Sequence, residues 1–270
     1  VDPQAAEFDR QRSQLAATNL LAWSLQNRQA LRKSQRAEPI AATPTDIDLA
    51  SLISEVQRRQ REAATIQRLD FPLGRLVHRG EWNADPKVFA HLAQELAGHT
   101  ELIQLQQELA IDPRDPELHH LVAAYLSGHT APNLEDDEID GLRSWLERGG
   151  LLLVNNICGC DRFDAGVHVL ARQLFPDSRL EVLDDQQSIW RGPFDLTDSE
   201  PQLTQAAAEQ HGADWGPVLG LRHKGRWVLL YTPISVSADL HGFLNDRIPA
   251  YHADSGLKLL TNLLHYAVTP

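Results

Sequence analysis

Residues 149–164 read GGLLLVNNICGCDRFD, and the order of residue types in this stretch decides the fold class. Gly149 and Gly150 stop a preceding helix, because glycine is the residue that most easily takes the left-handed cap. Leu151 to Val154 form a short apolar run, the signature of a strand buried on both faces. The run ends abruptly at two amides, Asn155 and Asn156. Cys158, Gly159 and Cys160 follow, and a helix is expected from about Phe163. Helix, glycine stop, buried strand, polar tip and helix make one α/β unit. In open α/β sheets ligands bind beyond the carboxyl ends of the strands, so this tip is the first place to look for a site.

The same grammar recurs on either side. Upstream, residues 74–78 (GRLVH) read as a first strand, GEWNADP at 80–86 as its loop, and Pro86 as the opening of a helix carrying Val88, Phe89, Leu92 and Leu96. A second strand is expected near the end of residues 102–111. Residues 121–126 form a buried strand ending at Ser127-Gly128-His129-Thr130, and residues 134–148 a helix with Ile139, Leu142 and Leu146 inward. Acids crowd the first turn of that helix, where the helix dipole favours them. Downstream, Val167, Leu170, Ala171 and Leu174 mark the buried side of a helix over 163–175, and 180–183 is a short strand. Residues 184–216 are loop-rich, with Trp190, Phe194 and Trp215 as anchors. Residues 218–222 and 227–231 flank HKGR and read as a hairpin. A last helix over 256–267 buries Leu257, Leu260, Leu263 and Leu264. Alternating strands and helices imply a mainly parallel sheet covered on both faces.

The hydrophobic share of 42% supports a core, and the charged share of 23% is that of a globular chain. Acids outnumber bases 37 to 25, a formal charge of −12, which argues against nucleic acid as a partner. No apolar run reaches the length of a membrane span. No methionine occurs, position 1 included. VDPQAAEFD therefore reads either as a mature start after removal of a signal peptide or as a trimmed end. An extracytoplasmic (periplasmic) location is expected, with a cytoplasmic one left open. The two cysteines are expected as free thiols or a ligand pair, because a Cys-x-Cys disulfide closes a very small ring.

Residues 1–70 differ from the rest: they are rich in Gln, Arg and Ala and lack glycine. Leu15, Leu20, Leu21, Trp23, Leu25 and Leu31 lie among good helix formers. Thr43-Pro44 opens a second helix in which Leu49, Leu52, Ile53 and Val56 repeat at helical spacing. An α-helical N-terminal arm over 1–70 followed by an α/β domain over 71–270 is the expected organisation. Bulky apolar residues on such an arm need a covering surface, either the chain's own body or a partner protein. Leu20, Leu21, Trp23 and Leu25 are the expected partner contacts.

HRGEWNADP, AAYLSGHT, LRSWLERGGLLLVNN, CGCDRFD followed by LARQLFP, and GRWVLLYTP occur in that order. Over residues 73–268 this series resembles bacterial domain-of-unknown-function family 4159, a family similar to the class I glutamine amidotransferase-like fold with its flavodoxin-like sheet. The resemblance brings no established activity. Two departures stand out. Where such proteins tend to carry paired acids after the central strand, this chain has Asn155 and Asn156, and an amide cannot act as a base. Where they tend to carry a Cys-Gly-Trp-like segment after the late strand, this chain has Ser237-Ala238-Asp239-Leu240-His241-Gly242.

Three chemistries could draw on the residues at the strand tips. A cysteine nucleophile would use Cys158 with His129 and Asp239. Against it, Asp161 repels a thiolate, and no late His-x-Glu pair exists for glutamine hydrolysis. A metal could draw on Cys158, Cys160, His129 and His241, but a zinc site needs a second ligand pair at defined spacing. A phosphate cradle needs glycines after the strand, and the Gly149-Gly150 pair precedes it. Asp161 or Asp164 is expected to cap the following helix. The ligand-pocket candidates are therefore His129, Asn155, Asn156, Cys158, Cys160, Asp161, Asp239 and His241, with no metal and no cofactor expected. The reading is a non-catalytic accessory or structural subunit that binds other proteins of an extracytoplasmic or membrane-associated assembly through its arm. The alternative is a hydrolase or metal-dependent enzyme centred on Cys158 and His129.

Overall fold

The computed structural model describes residues 69–71, 73–99, 103–105, 109–242 and 244–268. The arm, with Leu20, Leu21, Trp23 and Leu25, lies outside them. A seven-stranded sheet organises the described residues, with strand order β4-β2-β5-β6-β9-β8-β7. The strands are β2 (Leu73–Leu76), β4 (Leu109–Ile111), β5 (Ala123–Gly128), β6 (Leu151–Asn156), β7 (Leu180–Val182), β8 (Leu219–His223) and β9 (Arg226–Thr232). β4, β2, β5, β6 and β9 run parallel, whereas β8 is antiparallel to both of its neighbours. Two short parallel strands, β1 (Leu69–Phe71) and β3 (Ile103–Leu105), pair separately.

The described helices are α1 (Val88–His99), α2 (Asp136–Glu147), α3 (Asp161–Leu174), α4 (Gln205–His211) and α5 (Ala253–Val268). The period-2 alternation of the central strands sends their side chains into two cores. Ala123, Tyr125, Leu151 and Leu153 pack with Val88 and Leu92 of α1 and Leu260 and Leu264 of α5. Ala124, Leu126, Leu152 and Val154 pack with Leu142 and Trp145 of α2 and Val167 and Leu170 of α3. Every residue of β5 and β6 is buried, which is why these strands read as continuous apolar runs.

The expected mixed α/β order holds, with element ends shifted by a few residues, as in β5 at Ala123–Gly128 instead of 121–126, and with local differences that bear on the site. β6 continues through Asn155 and Asn156 instead of ending at Val154, because both amides find hydrogen-bond partners inside. α3 starts at Asp161, two residues earlier than the spacing suggested. The stretch read as loop-rich contains α4, capped by Thr204, whose hydroxyl accepts from the Ala207 N–H. Its run Gln205-Ala206-Ala207-Ala208 has high helix propensity but little apolar bulk to betray a periodic face.

The glycine pair does what the sequence demanded. Gly149 takes φ 118° and ends α2. A Cβ on Gly150 would stand 2.2 Å from the Trp145 ring, so only glycine lets the chain turn under that indole, whose N–H donates to the Leu121 carbonyl at 2.9 Å. This close approach sets where β6 enters the sheet.

Candidate functional site at the strand C-terminal edge

Parallel strands end together. Gly128 pairs with Asn156 and Asn155 with Thr232, so His129, Asn155 and the loop after β9 share one edge. The side chains just below that edge form a buried polar chain. Arg75 of β2 and Asp85, from the loop after it, are both fully buried and ion-paired at 2.5 Å. A second Arg75 nitrogen donates to the Asp85 carbonyl at 3.1 Å. The guanidinium lies over the Phe89 and Tyr125 rings, at 5.0 and 5.4 Å from their centroids. Asp85 also accepts from the Tyr125 hydroxyl and, at 2.6 Å, from Ser127. Burial, followed by the negative charge of Asp85, pushes the Tyr125 hydroxyl pKa well above its ordinary value, so it stays a donor.

Asn155 extends this chain across the sheet. Its amide N–H groups donate to the Tyr125 hydroxyl and to Ser237, both at 2.8 Å. Its carbonyl accepts from the Val236 N–H at 3.1 Å and from Thr232 at 3.2 Å. The direction of the chain matters: Asn155 donates to Tyr125, which donates to Asp85. A carboxylate at 155 would have no proton to give. An amide at 155 is therefore what this hydrogen-bond chain requires.

Asn156 serves the next turn. Its carbonyl accepts from the Cys160 N–H at 2.8 Å, and its amide donates to the Cys160 carbonyl at 3.2 Å and to Tyr231 at 3.3 Å. Tyr231 in turn donates to Asp164 at 2.9 Å. The expected carboxylate cap is corrected: the cap residue is Cys160, without a side-chain cap bond, and Asp161 and Asp164 lie in the first turn. The earlier start of the helix moves both acids past the cap position.

The expectation of free thiols or a ligand pair is also corrected. Cys158 and Cys160 are joined in a disulfide, and among the described residues no cysteine is free. Gly159 at φ 62° folds the chain back, bringing the two Cα atoms to 5.2 Å, inside the usual span of about 4.4–6.8 Å.

The remaining candidates have separate partners. His129 Nδ1 lies 2.7 Å from Glu81. Asp239 accepts from the Ala253 N–H at 2.8 Å at the start of α5 and lies 3.7 Å from His252 Nδ1. His241 ends the short 3-10 helix Asp239–His241. The three groups of the enzymatic alternative, Cys158, His129 and Asp239, thus each have a different partner. Among the described residues no three His, Cys, Asp or Glu side chains gather as a metal ion would need.

His78 shows how tightly this edge is built. Its Nδ1 accepts from the Gly80 N–H at 3.0 Å, which leaves Nε2 to donate to the Ser127 carbonyl at 3.0 Å. The ring is therefore the neutral Nε2–H tautomer, and burial lowers its pKa against the opposing pull of that carbonyl and of Glu138. Sequence reasoning passed over Arg75, Asp85 and His78. The signal for Arg75 was present: a charged residue inside an apolar strand run demands a buried partner.

Taken together, the fold and edge define an α/β domain with a mainly parallel sheet and an interlocked polar edge. Residues 72–268 match the family described as Domain of unknown function (DUF4159), and the protein belongs to that family. No curated protein matches the chain.

Proposed function

We propose that the protein is a non-catalytic binding or accessory subunit of a larger protein assembly, and that it docks through its N-terminal segment. One observation carries this reading. The polar side chains at the strand ends, where an α/β enzyme keeps its reactive groups, are spent on one another: Asn155 on Tyr125 and Ser237, Asn156 on the Cys160 turn, Cys158 on Cys160. The division into an arm over 1–70 and a body over 71–270 is supported by the family match, which begins at residue 72.

The flavodoxin-like reading of the sheet is supported by strand order. Numbered along the chain, the five adjacent parallel strands β4, β2, β5, β6 and β9 stand in the order 2-1-3-4-5, the order of flavodoxin-like sheets. An extracytoplasmic site of action is supported by the Cys158–Cys160 disulfide, since such bonds persist in oxidising compartments. Among the described residues no helix is long and apolar enough to cross a membrane.

Deleting residues 1–40 tests the docking claim. The truncated chain keeps its cooperative melt and loses a partner that the full chain captures, and Trp23→Ala weakens the same capture. A truncated body that unfolds, or that retains the partner at full strength, overturns the reading.

A further inference from the structure

The residues directly after β7 help line a cleft of about 580 Å³, within the size range of small-molecule sites. None of the residues singled out from the sequence as ligand-pocket candidates lines it. Its walls include Trp190, Trp215, Leu183, Leu196 and Pro201. Trp190 is 8% exposed, and its indole N–H donates to the Asp184 carbonyl at 2.8 Å. The Trp215 N–H donates to the Ser199 carbonyl at 2.8 Å, and one face of this indole stacks on Tyr251 with ring centroids 5.6 Å apart. Both indole donors are therefore occupied; Trp190 is buried in the wall, and the half-buried Trp215 is the one that can offer a ligand ring surface.

Charge then selects among ligands that like ring surface. Four carboxylates line the cleft, Asp185, Asp198, Glu200 and Asp214, against one guanidinium, Arg191. Among the described residues none of the four forms an ion pair. An aromatic face is the negative end of the ring quadrupole, so faces and carboxylates attract the same sign of charge. We infer that this cleft binds a small organic cation of the alkylammonium class. The Trp215 ring takes the apolar substituents, and the carboxylates set the local potential that draws the cation in. An anion is repelled by the rim, and a neutral ring compound gains stacking but nothing from the charge.

The full chain is titrated with tetramethylammonium chloride, reading saturation-transfer NMR on its methyl signal, against sodium chloride at matched ionic strength. Expected are a saturable response and no comparable transfer to glucose or acetate. Asp198→Asn with Glu200→Gln should weaken binding at least fivefold while leaving the melt in place, because both side chains are exposed. Trp215→Leu should abolish the response. A non-saturating signal, equal binding of glucose, or an unchanged affinity in the exposed double variant overturns the inference.

Discussion

Asp85 and Asp198 are both carboxylates, and the chain uses them in opposite ways. Asp85 has no exposed surface and holds Arg75, Tyr125 and Ser127. Asp198 is exposed on a cleft wall and forms no ion pair among the described residues. The parallel half, β2-β5-β6-β9, is covered on both faces, so every polar group there must find an internal partner or raise the cost of folding. The flank beyond β7 is bordered by loops, so its polar groups keep their water and remain available to a ligand. In this chain the polar groups open to solvent lie on the flank beyond β7, whereas those of the central strand ends are bonded to one another.

The largest expected effect breaks the buried half. Asp85→Ala removes the carboxylate facing a fully buried guanidinium, and loss of one partner of such a pair costs about 3–5 kcal/mol. Urea unfolding followed by circular dichroism should show it as a large fall in midpoint with little change in slope. A loss below about 1 kcal/mol, the range of surface pairs, would mean that this region is wetter than the structure shows.

Asn155→Asp asks whether the direction of the hydrogen-bond chain matters. The new carboxylate cannot donate to Tyr125, whose own proton goes to Asp85. It places a second negative charge in the interior. The expected loss at pH 7 is about 1–3 kcal/mol. A buried carboxyl has a raised pKa, so the folded state takes up the proton first and part of the loss should return as the pH falls. A variant whose deficit is the same at pH 7 and pH 5 would show that charge is not the cause.

How much of this was legible varies residue by residue. The strand at Leu151 was readable because its four apolar residues sit between a glycine stop and a polar tip, and burial on both faces leaves no other use for such a run. The hairpin was readable from Lys224-Gly225, both at positive φ. Asn155 and Asn156 were read as the open tip of a strand, since the sequence does not reveal that Ser237 and Tyr231, about 80 positions later, close over them. The Arg75–Asp85 pair was missed because its members lie in what read as a strand and its exposed loop. Trp190 and Trp215 were recognised as anchors, yet only packing shows that they wall a cleft. Sequence pattern reports burial well and pairing poorly, because pairing between distant side chains leaves no period.

Acidification gives an expected effect of opposite sign to the recovery of Asn155→Asp. Burial lowers the pKa of His78, and likewise of His265 and His119. Each is below its ordinary 6.5 in the folded state, so the unfolded chain binds the proton first. Stability from this source is complete above about pH 6.5 and is lost as the pH falls from there through the folded values. Urea midpoints at pH 7.5, 6.0 and 5.0 should decline in that order. His78→Gln, which keeps an N–H for the Ser127 carbonyl, should flatten the decline even if it lowers stability overall. An unaltered slope would assign the pH dependence to other groups.

The smallest expected effect on stability belongs to the cleft, and there smallness is the informative result. Asp198→Asn with Glu200→Gln alters two exposed side chains that hold no ion pair among the described residues. Surface changes of this kind stay within about 0.5 kcal/mol. Removing two of four like charges around one cleft also relieves their mutual repulsion, so any change should be slightly stabilising and should shrink as salt screens the charges. Thermal melts at low and high salt decide the matter. A loss of more than about 1 kcal/mol would show that these carboxylates hold the loops together, as Asp85 holds the buried half, and the contrast between the two flanks would fail at that point.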